Sequence, residues 1–172
     1  MKVELIEFPR GEDWAEVKRR ALVTIGKQNV TPPTEAWKRS ILSARHSPIR
    51  RLHFSFLIEC PYWVSVHLTR HHVGVTPYVR SQRNDRQEEY DRNTAPQDAP
   101  VIMILDLNAE ALITMANKRL CRLAAPETRQ IVQMMCLEAL EACPEFEEEL
   151  VPMCTRNGGV CYEMHSCGRC RQ

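Results

Sequence analysis

Two short apolar segments have the pattern of β-strands, whereas the other apolar patterns of the chain repeat at helical spacing. In residues 53–59, HFSFLIE, the side chains of Phe54, Phe56 and Ile58 alternate and fall on one strand face. Residues 101–107, VIMILDL, are apolar almost throughout, as in a buried strand. Helices must cover so small a sheet. The chain is therefore predicted to be an α+β protein, with a small antiparallel or mixed sheet packed with several helices.

Helix signals precede and follow both predicted strands. Glu12 or Asp13 can cap the first helix, Thr34 can start the second, Pro61 suits the first turn of the third, and Asn108 can cap the fourth. The predicted helices are 11–27, 34–45, 61–72, 109–123 and 126–142. The polar residues 84–100 are predicted to be a surface connection, and the acidic residues 143–150 a solvated helical turn.

Length and charge restrict the class of protein. A chain of 172 residues predicts one domain, residues 1–150, with a Cys-rich C-terminal tail, residues 151–172. The net charge of +1 gives no field that would attract nucleic acid or a membrane surface, so neither partner is expected. The N-terminal residues contain no long apolar run, which argues against a signal peptide. A cytoplasmic protein is expected.

Eight cysteines are distributed unevenly along the chain. Cys60, Cys121, Cys136 and Cys143 lie in apolar segments, where a free cysteine is usually a small core residue. The other four crowd the tail as Cys154-x6-Cys161-x5-Cys167-x2-Cys170. Four thiolates can close a tetrahedral zinc site, and the last pair has the spacing of a zinc knuckle. Free thiols, a redox pair or an iron–sulfur cluster are the alternatives.

One arginine lies on an apolar helix stripe. Arg119 follows Leu112 by seven residues and Met115 by four, so it shares their face of the predicted helix. An unpaired buried charge is costly, so this side chain must either extend to solvent or meet an anion.

A second basic site is the segment 68–86, LTRHHVGVTPYVRSQRNDR. Arg70, His71 and His72 follow the predicted third helix, and Gly74 and Pro77 are expected to shape a turn. Ser81, Gln82 and Arg83 then place a hydroxyl, an amide and a guanidinium together. Such groups bind phosphate well, although a solvated polar loop has the same composition.

The motif and its flanks resemble the flavin-dependent thymidylate synthases. The signature of that family is Arg-His-Arg, a gap of seven or eight residues, then Ser, often continued as Ser-Gln-Arg. Here RHH is followed by eight residues and then SQR, so His72 stands in place of the second Arg. The segments HFSFLIECPYWVSVHLTRHH and LNAEALITMANKRLCRLAAPETRQI are similar to the flanking strand and helices of the family, and the likeness covers about residues 45–150.

The resemblance implies a role for each matching residue. The triplet Arg70–His72 and Asn108 match the residues that bind FAD. The pyrimidine nucleotide would be held by His67, Ser81, Gln82, Arg83 and Arg119. Arg70, Ser81 and Arg119 would serve catalysis directly.

The activity implied is reductive methylation of dUMP to dTMP. Methylenetetrahydrofolate would give the carbon, NADPH the reducing equivalents, and four copies of the chain would share their sites in a homotetramer. Two alternatives stay open at this point. In the first, the chain binds FAD but acts on another pyrimidine nucleotide or has no methylation activity. In the second, it is a zinc-ribbon module that binds a partner protein or nucleic acid.

Overall fold

A four-stranded antiparallel sheet runs through the computed structural model, which describes residues 1–28, 31–86 and 90–170. The strands of these residues are β1 Lys2–Glu7, β2 His53–Pro61, β3 Val75–Val79 and β4 Pro100–Asn108. The α-helices of the same residues are α1 Gly11–Val23, α2 Glu35–Ser43, α3 Tyr62–Thr69, α4 Ala109–Arg119, α5 Pro126–Ala142 and α6 Met153–Arg156. The predicted α+β class, with a small sheet and several helices, is confirmed.

The two predicted strands are the central pair of the sheet, whose order is β1-β2-β4-β3. Phe54 pairs with Leu107 and Ile58 with Met103, and the register between β2 and β4 is unbroken. The side chains of Phe54, Phe56 and Ile58 are all buried, as their alternation predicts. The ring edge of Phe54 meets Phe146 with centroids 5.3 Å apart, which joins the sheet to the segment after α5.

The edge strands are absent from the sequence prediction. The side chains of β1 are mostly exposed, and only Val3 and Leu5 alternate toward the core. The strand β3 is buried only at Val75. Gly74 has a φ of +72° and does make the turn, as predicted. Pro77, however, lies within β3 and pairs with Leu105, so its predicted place in the turn is wrong. An edge strand tolerates proline because one of its sides makes no ladder hydrogen bonds.

The five predicted helices are present, four of them with shorter ends and α5 with the predicted bounds. Thr34 caps α2 by accepting a hydrogen bond from the Trp37 main chain at 3.2 Å, and Asn108 caps α4 in the same way. The third helix ends at Thr69, so residues 70–72 lie beyond it. Residues 87–89 of the predicted surface connection lie outside the described part of the chain. Within that part, no helix combines the length and the apolar character needed to cross a membrane.

The acidic segment 143–150 differs from its prediction. Glu145 and Glu149 are buried, because a 3₁₀ turn at Pro144–Phe146 directs Phe146 into the core and carries both carboxylates inward. Arg156 binds Glu149 at 2.7 Å, and Arg45 lies 3.6 Å from the same carboxylate. The predicted solvated turn is therefore wrong for two of its glutamates, whose charges are balanced by basic residues.

Replacing Glu149 should destabilise the fold strongly. In Glu149→Gln the two arginine charges lose their carboxylate, and breaking such a buried pair costs about 3 kcal/mol. Chemical denaturation measures the loss. The neighbouring Glu148 is exposed, so Glu148→Gln should change the free energy of unfolding by less than about 0.5 kcal/mol. Equal effects of the two changes would contradict this description of the pair.

Candidate functional site

An open cleft of about 650 Å³ lies where α3 ends and α4 begins. The predicted flavin residues Arg70, His71, His72 and Asn108 all line it. The structure thus brings together, on one surface, four residues that are separated by as much as 38 positions in the sequence. The cleft has the size of a small-molecule site.

Asn108 forms one wall of the cleft and fixes the turn opposite. Its side-chain oxygen accepts a hydrogen bond from the Ala111 main chain at 2.9 Å, and its own main-chain N–H donates to the Gly74 carbonyl at 3.0 Å. A Cβ added to Gly74 would lie 2.4 Å from the Asn108 amide nitrogen. Only glycine therefore fits at position 74, both for its positive φ and for this close approach.

Arg119 reaches the same region from the far end of α4. Its Nε donates to Nε2 of His71 at 2.9 Å, and its Nη2 donates to the His67 carbonyl at 3.4 Å. Within the chain, its charge therefore meets two neutral acceptors, and its predicted pairing with a bound anion stays a prediction. No carboxylate of the described residues pairs with Arg119.

The contact with Arg119 fixes the protonation state of His71. A ring nitrogen that accepts a hydrogen bond carries no proton, so the neutral ring holds its proton on Nδ1. Burial lowers the pKa of His71, and the charges of Arg119 and His72 lower it further. Burial also lowers the pKa of Arg119, and the charge of Arg70 adds to that effect.

Positive charge dominates this part of the surface. The Arg70 guanidinium makes no hydrogen bond or ion pair within residues 1–28, 31–86 and 90–170. Arg50 also lines the cleft but is bound to Glu110, which lines it as well. Arg50 and Glu110 are cleft residues that were not predicted from the sequence, and Gly74 was predicted only as a turn residue. The place of Glu110 at the cleft could have been predicted, because it follows the predicted cap Asn108 by two residues.

His67 does not line the cleft. Its Nδ1 lies 2.9 Å from the hydroxyl of the buried Thr128, so this ring ties α3 to α5. Its main-chain carbonyl, rather than its ring, meets Arg119. The predicted contact between His67 and a nucleotide has no counterpart in this geometry and stays a prediction.

Ser81, Gln82 and Arg83 lie at the other end of β3. Six residues of largely extended chain lie between Gly74 and Ser81, which gives a span of about 20 Å. Arg83 binds Asp85 through two parallel hydrogen bonds of 2.8 and 2.7 Å, and its main-chain N–H donates to the Ser81 hydroxyl at 3.3 Å. Within one chain, these three residues and the Arg70–His72 triplet therefore form two separate groups.

The Cys-rich tail folds against α4 on another side. Its four cysteines gather around a cavity of about 90 Å³ together with Cys121, which had been predicted as a core residue. Among the described residues, no three His, Cys, Asp or Glu side chains are arranged to hold a metal ion.

Comparison with known proteins identifies the fold. No family model matches the sequence, and no curated protein is similar to it. Two crystal structures of the UMP/dUMP methylase PolB from Streptomyces cacaoi do match the structure. The chain shares the fold of PolB. The structure bound with 5-Br dUMP has a TM-score of 0.66 at 18% identity, covering 86% of this chain and 93% of PolB. The structure bound with 5-Br UMP has a TM-score of 0.65 at 16% identity, covering 91% and 94%.

Gly74→Ala should destabilise the chain more than Gly26→Ala. Both glycines have a φ near +70°, but a Cβ at Gly26 would meet nothing within 4 Å. We expect about 1 kcal/mol for the strained backbone at position 26, and at least about 1 kcal/mol more at position 74, where Asn108 must give up its cap. Thermal and chemical unfolding measure both losses. A smaller loss at position 74 would contradict the contact.

The His71 ring should titrate below the ordinary histidine pKa of about 6.5. Because the folded state disfavours the charged ring, stability should fall as the pH drops through that value. NMR titration of the ring measures the pKa. In Arg119→Met the value should rise, since a nearby positive charge is removed. An unchanged pKa in this variant would show that the two side chains do not interact.

Proposed function

We propose that this chain is an enzyme that methylates the base of a pyrimidine nucleoside monophosphate, with FAD as its cofactor. The observation that carries the proposal is the cleft in which Arg70, His71, His72 and Asn108 meet. These are the positions at which the sequence resembles the flavin-dependent thymidylate synthases. The fold shared with PolB, a UMP/dUMP methylase, supports the same class of reaction.

The residues of the cleft suit an FAD molecule. Its diphosphate needs cationic donors, and Arg70 offers a guanidinium that no described carboxylate occupies. Polar side chains along the edge of the flavin ring would orient it. The amide of Asn108 and the imidazoles of His71 and His72 line the same cleft. A bound reduced flavin would supply the hydride for reductive methylation, with NADPH and methylenetetrahydrofolate as co-substrates.

The chain's own residues would bind and orient the reactants. Arg119 is held in place by His71 and by the His67 carbonyl, so its charge is fixed beside the cleft before any ligand binds. A fixed charge loses little side-chain entropy on binding and favours an anionic substrate. We assign Arg119 to the nucleotide, Arg70 to both ligands, and Ser81 to the reacting base.

Ser81, Gln82 and Arg83 are assigned to the nucleotide phosphate and base. The forked N–H donors of the Arg83 guanidinium, which bind Asp85 in this structure, match the geometry of a phosphate. Both side chains of this ion pair are exposed to solvent. An exposed pair of this kind contributes only about 0–1 kcal/mol, so a phosphate can displace Asp85. Because a span of about 20 Å separates this group from Gly74 at the cleft in one chain, a complete site needs residues from two copies. A homotetramer with shared sites satisfies this requirement.

Ribose and deoxyribose are both candidates for the sugar of the substrate. PolB is described as a methylase of both UMP and dUMP, and its two structures hold one bromo-analogue of each. We take dUMP as the first substrate to test and UMP as the second.

The first test of the proposal is the presence of flavin. Purified protein should be yellow or should bind added FAD, and denaturation should release the cofactor. Addition of dUMP or UMP should then stimulate NADPH oxidation. A colourless protein that fails to bind FAD would rule out the proposal, whereas NADPH oxidation indifferent to both nucleotides would favour another flavin-dependent reaction.

Substitutions should distinguish the residues that bind the nucleotide from those that bind FAD. Arg83→Gln removes a charged fork and should weaken dUMP binding about 10-fold or more while leaving FAD binding unchanged. Arg86→Gln is the matched control, since Arg86 lies in the same exposed turn and also approaches Asp85. Isothermal titration measures both ligands. Equal loss of FAD and dUMP binding in Arg83→Gln would contradict the assignment.

A further inference from the structure

Five of the eight cysteines line one small cavity between α4 and the tail. They are Cys121, Cys154, Cys161, Cys167 and Cys170. The remaining three lie in the core, where burial raises the pKa of Cys60 to about 11 and those of Cys136 and Cys143 to about 12. The chain therefore contains one group of inert core thiols and one group gathered at a single place.

The thiols of the cavity form two close pairs. Cys154 and Cys170 lie close enough to interact, and Cys161 lies near Cys170. Cys121 and Cys167 form the second close pair. Residues from the start, middle and end of the tail thus converge on the last turn of α4.

The end of the tail has the backbone of a metal knuckle. Gly168, inside Cys167-x2-Cys170, has a φ of +77°, which lets the chain turn tightly between the two cysteines. The main-chain N–H groups of Arg169 and Arg122 lie close to the Cys167 sulfur. Such groups are typical outer partners of a side chain that binds metal. The Gly168 N–H donates to the Ser166 hydroxyl at 3.1 Å, which fixes the turn.

Two arginines lie beside the cluster. A zinc ion with four thiolates carries a net charge of −2. Lys118 and Glu163 both line the cavity and pair with each other at 3.3 Å, whereas Arg122 and Arg169 line the neighbouring depression. The two arginines suit an anionic centre of that kind.

Apolar burial contributes little to the stability of the tail. Tyr162 and Met164 are 78% and 92% exposed, and Cys154 is the one buried cysteine among the four of the tail. A segment that buries so little apolar surface needs another source of stability, and a structural metal is a common one in small Cys-rich elements.

From these observations we infer that the tail binds one zinc ion through the thiolates of Cys154, Cys161, Cys167 and Cys170, with Cys121 as a hydrogen-bond donor to Cys167. The four thiols would release their protons on binding, and no electron is transferred. Since the thiols form pairs and no three ligands converge within the described residues, binding would draw the two pairs together. Zinc fits four sulfur ligands in tetrahedral geometry.

The site would also secure the helix that carries Arg119. Cys121 follows Arg119 by two residues, so a tail fixed to Cys121 restrains the end of α4. This role is structural and independent of the proposed methylation, because the cysteines do not line the cleft at Arg70–His72.

Metal analysis of the full-length protein, purified under reducing conditions, tests the inference. We expect close to one zinc per chain, and cobalt substituted for zinc should show the visible and thiolate charge-transfer bands of tetrahedral sulfur coordination. A metal-free protein that binds neither zinc nor cobalt on titration would overturn it. So would recovery of disulfides between Cys121 and Cys167 or between Cys154 and Cys170, or of iron with inorganic sulfide.

Three variants assign the ligands. Cys161→Ala should lose the metal, and the core variant Cys60→Ala should keep it. Cys121→Ala should keep one zinc with about 10-fold weaker affinity, as is typical when an outer partner is removed. If Cys121→Ala loses the metal and Cys161→Ala retains it, the ligand assignment is wrong. If a variant fails to fold, cobalt titration of chelator-treated wild-type protein still tests whether the chain binds metal through sulfur.

Discussion

Asn108 is the residue on which the candidate site depends, because its main chain and its side chain bind different elements. It ends β4, caps α4 through the Ala111 main chain, and holds the Gly74 carbonyl. These contacts fix where α4 starts relative to the turn that follows α3. The positions of the Arg70–His72 triplet and of Arg119, at the other end of α4, follow from this junction.

The sequence predicted the parts of the fold that have strong apolar periodicity. The central strands β2 and β4 and helices α2 and α5 match their patterns because their buried faces are regular. The edge strands escaped prediction because β1 and β3 are largely exposed and one contains Pro77. Glu145 and Glu149 escaped it because their burial depends on Lys38, Arg45 and Arg156, which are distant in sequence.

The site was predicted through resemblance rather than through physics alone. Spacing on α4 indicated that Arg119 must extend to solvent or meet an anion, but its contact in the chain, the neutral ring of His71, lies 48 residues away. In the same way, Cys121 had the pattern of a core residue, and only the folded tail places it beside Cys167. Contacts between distant segments depend on topology, which local sequence patterns do not contain.

Analysis of the reaction product tests the central claim most directly. Protein supplied with FAD, NADPH, methylenetetrahydrofolate and either dUMP or UMP should yield a nucleotide heavier by one methylene group, as detected by mass spectrometry. Formation of this product should require every component and should fail in Arg119→Met. An unchanged nucleotide, recovered from protein that has bound both FAD and the nucleotide, would contradict the account.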